Sequence, residues 1–353
     1  MAPRKARVVE EAEEFDRVEG FPHPRETFGL AGQDVALATA SRAIRNGRPP
    51  QAWLITGPPG IGKATLAYRI ARYLLRYGAT YRGPADLAVP PDDQVARQIA
   101  AKAHPGLLVL KRGLNPDTGK MMKVLSVDSI RELAPFFGLT AEAGGWRVAI
   151  IDTADDMNDA AANALLKALE EPPTRSILLL LSNAPGRLLP TIRSRCQRLP
   201  LRPLPETELL AELAQQLPKS SEADRAALAK LAGGSLGAAL ALSSEDGLTL
   251  AREAERVIDQ SARPDYAALL ALGDRVARIG DGLLKYGTFL SEVLADRVAA
   301  RARKGGGDLR RWTDAYEKIK LKFEAAAALN LEPRQTILAT AREISSAARR
   351  GAL

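Results

Sequence analysis

The sequence predicts an α/β module built on a parallel sheet, followed by helical domains. Three observations carry that expectation. A short apolar strand, Ala52 to Thr56, runs straight into Gly57-Pro58-Pro59-Gly60-Ile61-Gly62-Lys63, and an amphipathic helix follows. Two further runs, Trp146 to Ile151 and Ile177 to Leu181, are apolar almost throughout, as parallel strands covered on both faces must be. After Arg202-Pro203-Leu204-Pro205 the alanine- and leucine-rich pattern is helical, with no convincing strand.

Size and composition set the frame. A chain of 353 residues is expected to form two or three domains, and 46% hydrophobic with 26% charged residues is a globular balance. No run of about 18 apolar residues predicts a membrane span. Glu10, Glu11, Glu13 and Glu14 follow the start, which argues against a secretory or transit peptide. The single cysteine, Cys196, cannot form an internal disulfide, which fits a reducing cytoplasm. Two histidines, His23 and His104, form no cluster with it, so no metal site and no zinc is expected. A net charge of +8 is compatible with a nucleic-acid partner or with a solvated basic surface, because the basic residues spread along the whole chain.

In chain order, residues 1–20 are charged and aperiodic and read as a flexible tail. A helix is expected from about Val35, stopping near Gly47 and Pro49-Pro50. After the glycine loop, Leu66, Ala67, Ile70, Ala71, Leu74 and Leu75 recur at helical spacing and define one buried face. Residues 77–93 hold Gly78, Gly83, Pro84, Pro90 and Pro91 and read as an irregular excursion. Leu107 to Leu110 is a predicted strand, and Lys123 to Val127 is predicted to pair across an Asn115 to Gly119 hairpin turn. A helix over Ile130 to Phe137 would be capped by Asp128 or Ser129. Ala160 to Glu171 is a predicted helix ended by Pro172-Pro173. Thr191 to Cys196 reads as a polar turn carrying two guanidiniums. The predicted division is 21–203 for the α/β domain, 204–245 for a small helical domain and 246–353 for a second one. Breaks are expected at Gly233 to Gly237 and Ser243 to Gly247, with a loop at Gly305-Gly306-Gly307.

The glycine loop is the first candidate site. Glycines at 57, 60 and 62 let backbone N–H groups turn toward phosphate oxygens, and the helix N-terminus adds favourable dipole charge. Pro58 and Ile61 complete the loop, and Lys63 would supply a point charge to the terminal phosphates. The position after the lysine normally brings a hydroxyl to Mg²⁺, and here it is Ala64. Thr65 is displaced by about 100° around the helix and does not substitute directly. Asp152 ends a buried strand and could hold a metal ion through water, but Thr153 stands where a carboxylate would orient attacking water. A turn that binds nothing, and an aspartate that merely ends a strand, are the structural alternatives.

These residues carry a resemblance. Ile150-Ile151-Asp152-Thr153-Ala154-Asp155-Asp156-Met157-Asn158, Asn163-Ala164-Leu165-Leu166-Lys167-Ala168-Leu169-Glu170-Glu171-Pro172-Pro173 and Ser194-Arg195-Cys196 occur in the order found in AAA+ clamp-loader subunits. Ala52-Trp53-Leu54-Ile55-Thr56-Gly57 and His23-Pro24-Arg25 extend the match backwards, to cover about residues 22–204. The chain resembles the delta-prime type of the bacterial DNA polymerase III clamp loader. The resemblance implies an AAA+ module, a helical lid and a helical collar that oligomerises. It implies a place in a pentameric ring with gamma/tau and delta subunits, which loads the sliding clamp onto primed DNA. Delta-prime members generally do not hydrolyse ATP, so ATP or ADP would be held passively if at all; the gamma/tau type is the hydrolysing alternative. Ser182 or Asn183 matches the sensor-1 location, and Ala238 stands where sensor-2 often has arginine. The four-cysteine zinc module of many relatives has no counterpart in this chain. By motif, Arg195 is an arginine finger acting in trans on a neighbour's nucleotide, with Arg193 as the local alternative and a surface ion pair as the structural one. A DNA-binding module acting alone is a further reading of the basic charge.

Overall fold

A computed structural model describes residues 17–80, 82–113, 122, 124–138, 145–171, 173–243, 245–279, 282–303, 309–329 and 331–349. They fall into two compact units, one within residues 1–240 and the other within 241–353.

The first unit is built on a five-stranded, wholly parallel sheet in the order β2-β3-β4-β1-β5. The strands are β1 (Ala52–Thr56), β2 (Leu107–Lys111), β3 (Arg147–Asp152), β4 (Ser176–Ser182) and β5 (Gln197–Pro200). Every residue of β1 and β4 is buried, as the mostly apolar sequence of central strands requires, with Thr56, Ser176 and Ser182 at their ends. Helices α1 (Asp34–Arg45), α2 (Lys63–Tyr77) and α3 (Gln94–Ala100) cover one face. There Ile44, Leu66, Ile70, Leu74 and Ile99 pack on Trp53, Ile55, Ile150 and Leu179. The other face carries α4 (Val127–Arg131), α5 (Leu133–Gly138), α6 (Asp159–Glu170) and α7 (Pro190–Arg195). Leu165, Leu169, Ile192 and Cys196 pack on Leu54, Ile151 and Leu180 in that second core.

Several local expectations are corrected. Val127 is helical rather than paired in a hairpin, and Leu125 bridges Met157 instead. The Asn115 to Gly119 turn lies outside the described residues. The helix predicted over 130–137 is two short pieces, capped at Ser126 and not at Asp128 or Ser129: the Ser126 hydroxyl accepts from the Ser129 N–H at 3.2 Å. Pro135 has no N–H to bond the Arg131 carbonyl, which accounts for the break. Thr191 to Arg195, read as a polar turn, belongs to a short helix started by Pro190 and anchored by the fully buried Ile192. Helix α3 and strand β5 add to the predicted elements.

The segment before α1 is stapled to α2 by the buried Arg72 and to α3 by the buried Arg25. Arg72, 1% exposed, donates to the carbonyls of Arg25 (3.0 Å) and Thr27 (2.8 Å), and its guanidinium lies 4.4 Å from the Phe28 ring centroid. Burial pushes that guanidinium down to about 10. Arg25 reaches the Ala100 carbonyl at 3.0 Å, which gives His23-Pro24-Arg25 a structural role. Of the predicted tail, residues 17–20 are described, and Arg17 pairs with Glu26 at 2.8 Å.

Helices α8 (Glu206–Gln216), α9 (Glu222–Leu231) and α10 (Leu236–Leu242) follow β5. The second unit holds α11 (Glu245–Asp259), α12 (Tyr266–Arg278), α13 (Gly282–Arg303), α14 (Arg310–Leu329) and α15 (Pro333–Ala348). Asp246 and Gly247, predicted as part of a break, lie inside α11. Leu250, Leu269, Leu290, Trp312, Ile319, Phe323 and Ile344 form its core. The Gly305 to Gly307 loop lies outside the described residues. Among the described residues no helix is long and apolar enough to cross a membrane.

Candidate functional site

The carboxyl ends of β1, β3 and β4 bring the predicted loop residues to one edge of the sheet. Thr56 is in register with Ser182 and Ile151 with Leu180, and the Gly57 N–H donates to the Ser182 carbonyl at 3.2 Å. Gly57 through Lys63, Asp152 and Asn183 therefore share the crevice above the strand ends, where parallel α/β sheets bind ligands. Gly60 and Gly62, at φ of 72° and 99°, take conformations that side chains disfavour, so the turn into α2 depends on them.

The loop is satisfied from within. Lys63 is 7% exposed, and its ammonium donates to the carbonyls of Gly57 (2.9 Å) and Pro58 (2.6 Å). Desolvation pushes it down to about 8, while Asp152 and Asp155 pull it back up. Ile61 is buried beneath the loop, and its Cδ1 occupies the place a Cβ on Gly57 would take. Gln33, at the N-cap of α1, brackets the loop: its amide donates to the carbonyls of Arg202 (2.7 Å) and Ile61 (3.4 Å).

The start of α10 rests directly on this loop. Ser235 donates its hydroxyl proton to the Pro59 carbonyl at 2.9 Å, and the Gly237 N–H donates to the Gly60 carbonyl at 2.8 Å. A Cβ on Gly237 would lie 2.8 Å from the Gly60 Cα, so no side chain fits between the two backbones. Ala238 contributes its N–H to the Ser235 hydroxyl at 3.1 Å and carries no charge toward the loop.

Asp155, one turn beyond β3, organises the opposite wall. It accepts from the Ser182 hydroxyl at 2.7 Å and from the backbone N–H groups of Asn183 and Ala184. With both oxygens occupied it fixes the loop that leads to α7, rather than standing ready to activate water. The Asn183 side chain is exposed at that wall. Ala64 is half-buried against the core and Thr65 is half-buried one position along α2. Ala64 directly follows Lys63 and Thr153 directly follows Asp152, so neither position supplies the hydroxyl or the carboxylate that magnesium–nucleotide hydrolysis uses.

Arg195 stands apart from these residues. Strand β5 is parallel to β1, with Gln197 beside Trp53 and Pro200 beside Thr56. Arg195 therefore lies toward the amino edge of the sheet, about 10 Å of strand away from the edge that carries the loop. Its guanidinium donates to Glu170 at 2.7 Å and to the Thr191 carbonyl at 3.1 Å, and its side chain is 37% exposed. Arg193, the local alternative, is half-buried. Cys196 is buried, and desolvation pushes its thiol up to about 11, which makes it a packing residue.

The loop, Asp152, Asn183 and Arg195 stand out in the sequence. Gln33, Ser235 and Gly237 as loop contacts, Asp155 as an organiser and Glu170 as the partner of Arg195 do not. The acidic run 155–156 and the Ser-Leu-Gly start of α10 were visible signals, but their partners lie far along the chain.

Three known proteins and one family are similar to this part of the chain. The family described as DNA polymerase III, delta subunit, matches residues 32–205. The delta-prime subunit of DNA polymerase III from Pseudomonas aeruginosa is 40% identical over 185 residues, covering 52% of this chain and 53% of the relative. The delta-prime subunit of Escherichia coli is 38% identical over 200 residues, covering 57% and 56% respectively. A gamma/tau subunit from Mycobacterium bovis is 32% identical over 186 residues, covering 53% of this chain and 30% of that protein. The matched stretch spans about half the length of the delta-prime relatives. Through residues 32–205, the part that holds both the phosphate loop and the Ser194-Arg195-Cys196 turn, this chain is similar to the delta-prime subunits of DNA polymerase III.

Proposed function

We propose that this chain is a non-hydrolysing clamp-loader subunit that acts on a neighbour's nucleotide through Arg195. One observation carries the reading. The phosphate loop is closed on itself by Lys63 and by the start of α10, whereas Arg195 is exposed on the far edge of the sheet. An arginine so placed serves a site on another subunit. There a rigid, permanently charged fork would neutralise charge building on the γ-phosphoryl oxygens during hydrolysis. The partners on this reading are gamma/tau and delta subunits, with the sliding clamp and primed DNA engaged through the assembled ring. Nucleotide at the chain's own loop would be passive, held by the glycines and Lys63 once that lysine leaves the loop carbonyls.

The test is reconstitution with gamma/tau and delta subunits. Arg195→Ala is expected to leave assembly intact and to lower ATP turnover and clamp loading. Full turnover by that variant would refute the role in trans. The second reading, an autonomous ATPase of the gamma/tau type, draws on the retained Lys63 and glycines and on the gamma/tau likeness. Turnover by the isolated chain that disappears in Lys63→Ala would favour it.

A further inference from the structure

We infer that Glu170 is the positioning residue for Arg195, holding its guanidinium in a fixed pose before a neighbouring nucleotide is engaged; this rests on the reading of Arg195 as a finger in trans. The two side chains meet from different elements. Glu170 ends α6 and Arg195 ends α7, and each stands beside a buried anchor. Leu169 precedes Glu170, while Ile192 and Cys196 flank Arg195, and all three anchors belong to the same core under the sheet. The backbone positions are therefore set by packing, whereas the ion pair spans two exposed side chains, 37% and 50% accessible.

A pair that exposed adds little to folding, because solvent screens it and both chains lose freedom to form it. What it does is remove that freedom in advance. Glu170 takes one end of the fork at 2.7 Å, and the Thr191 carbonyl takes the other at 3.1 Å. Guanidinium has five donors in one plane, so two contacts define the plane and leave further N–H groups for phosphate oxygens. A finger frozen beforehand loses less conformational entropy when it docks and arrives in a set orientation, which is what positioning contributes to rate. Phosphate oxygens would draw the fork away from Thr191 or share it with Glu170, so the carboxylate guides the guanidinium without burying it.

The experiment uses the full chain in a complex reconstituted with gamma/tau and delta subunits, read by ATP turnover with clamp and primed DNA. Glu170→Ala is expected to lower kcat roughly 3–10-fold, an effect of misorientation smaller than losing the finger, with KM for ATP and assembly little changed. Glu170→Gln keeps an acceptor oxygen at the same place and should restore most of the rate. In an Arg195→Ala background, Glu170→Ala should add nothing. Unchanged or raised turnover in Glu170→Ala overturns the inference, as does an equal loss in the Arg195→Ala background, which would mark a general structural effect. If Arg195→Ala alone keeps full turnover, the finger reading fails and Glu170 falls with it. If Arg195→Ala is impaired and Glu170→Ala is not, only the positioning role fails.

Discussion

The phosphate loop and the turn at the end of α7 are two answers to the same problem, what to do with polar groups at the edge of a parallel sheet. The loop turns inward. Its carbonyls at Gly57, Pro58, Pro59 and Gly60 all have partners within the chain, from Lys63, Ser235 and Gly237. The α7 turn faces outward, with Arg195 exposed and held by the Glu170 carboxylate and the Thr191 carbonyl. A site that must open to a ligand has to break internal hydrogen bonds first, while a group that must reach a partner needs only to exchange one surface contact for another. On the proposed function, that difference would direct binding energy toward a neighbour rather than toward the chain's own crevice.

Removing the outward group should have the largest effect. At the neighbour's nucleotide that the proposed function assigns to Arg195, Arg195→Ala is expected to slow hydrolysis by about 10³-fold or more, roughly 4 kcal/mol of transition-state stabilisation. Single-turnover hydrolysis in the reconstituted complex measures it, and a change below tenfold would put Arg195 among ordinary surface residues.

The two regions are joined by Asp155, which fixes the Ser182-Asn183-Ala184 wall of the crevice and thereby the path into α7. Replacing it by alanine removes a charged acceptor from three donors. We expect about 2–3 kcal/mol of destabilisation by denaturant unfolding, together with faster hydrogen exchange at Asn183 and Ala184. Asp155→Asn keeps one acceptor oxygen and should lose less. If Asp155→Ala leaves stability and exchange unchanged, the wall is held by other contacts.

How much of this was legible before the fold was known depends on range. Strands β1, β3 and β4 stand out because nearly every residue is apolar, and α2 because its apolar residues recur on one face. Strand β5 was hidden: in Gln197-Arg198-Leu199-Pro200 only Leu199 is buried, so an edge strand with one inward side chain shows no pattern. The six-residue helix α7 is too short to display a period. Gly60 and Gly237 were each visible as glycines, but only the fold brings residues 177 positions apart into backbone contact. The same holds for Glu170, which sits in a recognisable motif while its partner comes 25 residues later.

The closure of the loop can be broken directly. Gly237 lies in the first turn of α10, where alanine would ordinarily favour a helix by roughly 0.5–1 kcal/mol. A Cβ there would meet the Gly60 Cα at 2.8 Å and its carbonyl oxygen at 2.9 Å, backbone atoms that cannot step aside as a side chain could. Gly237→Ala is therefore expected to destabilise by about 1–3 kcal/mol, opposite in sign to its local propensity. A stabilised variant would mean that α10 does not press on the loop in solution.

The finest probe is the protonation of Lys63. Its folded value of about 8 lies below the ordinary lysine value of 10.5, because burial costs the ammonium more than Asp152 and Asp155 return. Between those two pH values the unfolded chain binds more of this proton than the folded chain, so the Lys63 contribution to stability rises with pH over that interval. Below about pH 8 both states carry the proton, the contribution no longer changes, and the cost of the buried charge is present in full. Lys63→Met should therefore be relatively more stable at pH 8 than at pH 10, compared with the natural chain, and denaturant titrations at both values read the difference. Nucleotide phosphates bound at the loop would draw the ammonium from the carbonyls and raise its pKa, flattening that slope. A slope that persists with ATP present would keep the loop in its closed, self-satisfied form; a slope that vanishes would show that Lys63 still takes phosphate, and the contrast between the two edges of the sheet would then be one of degree.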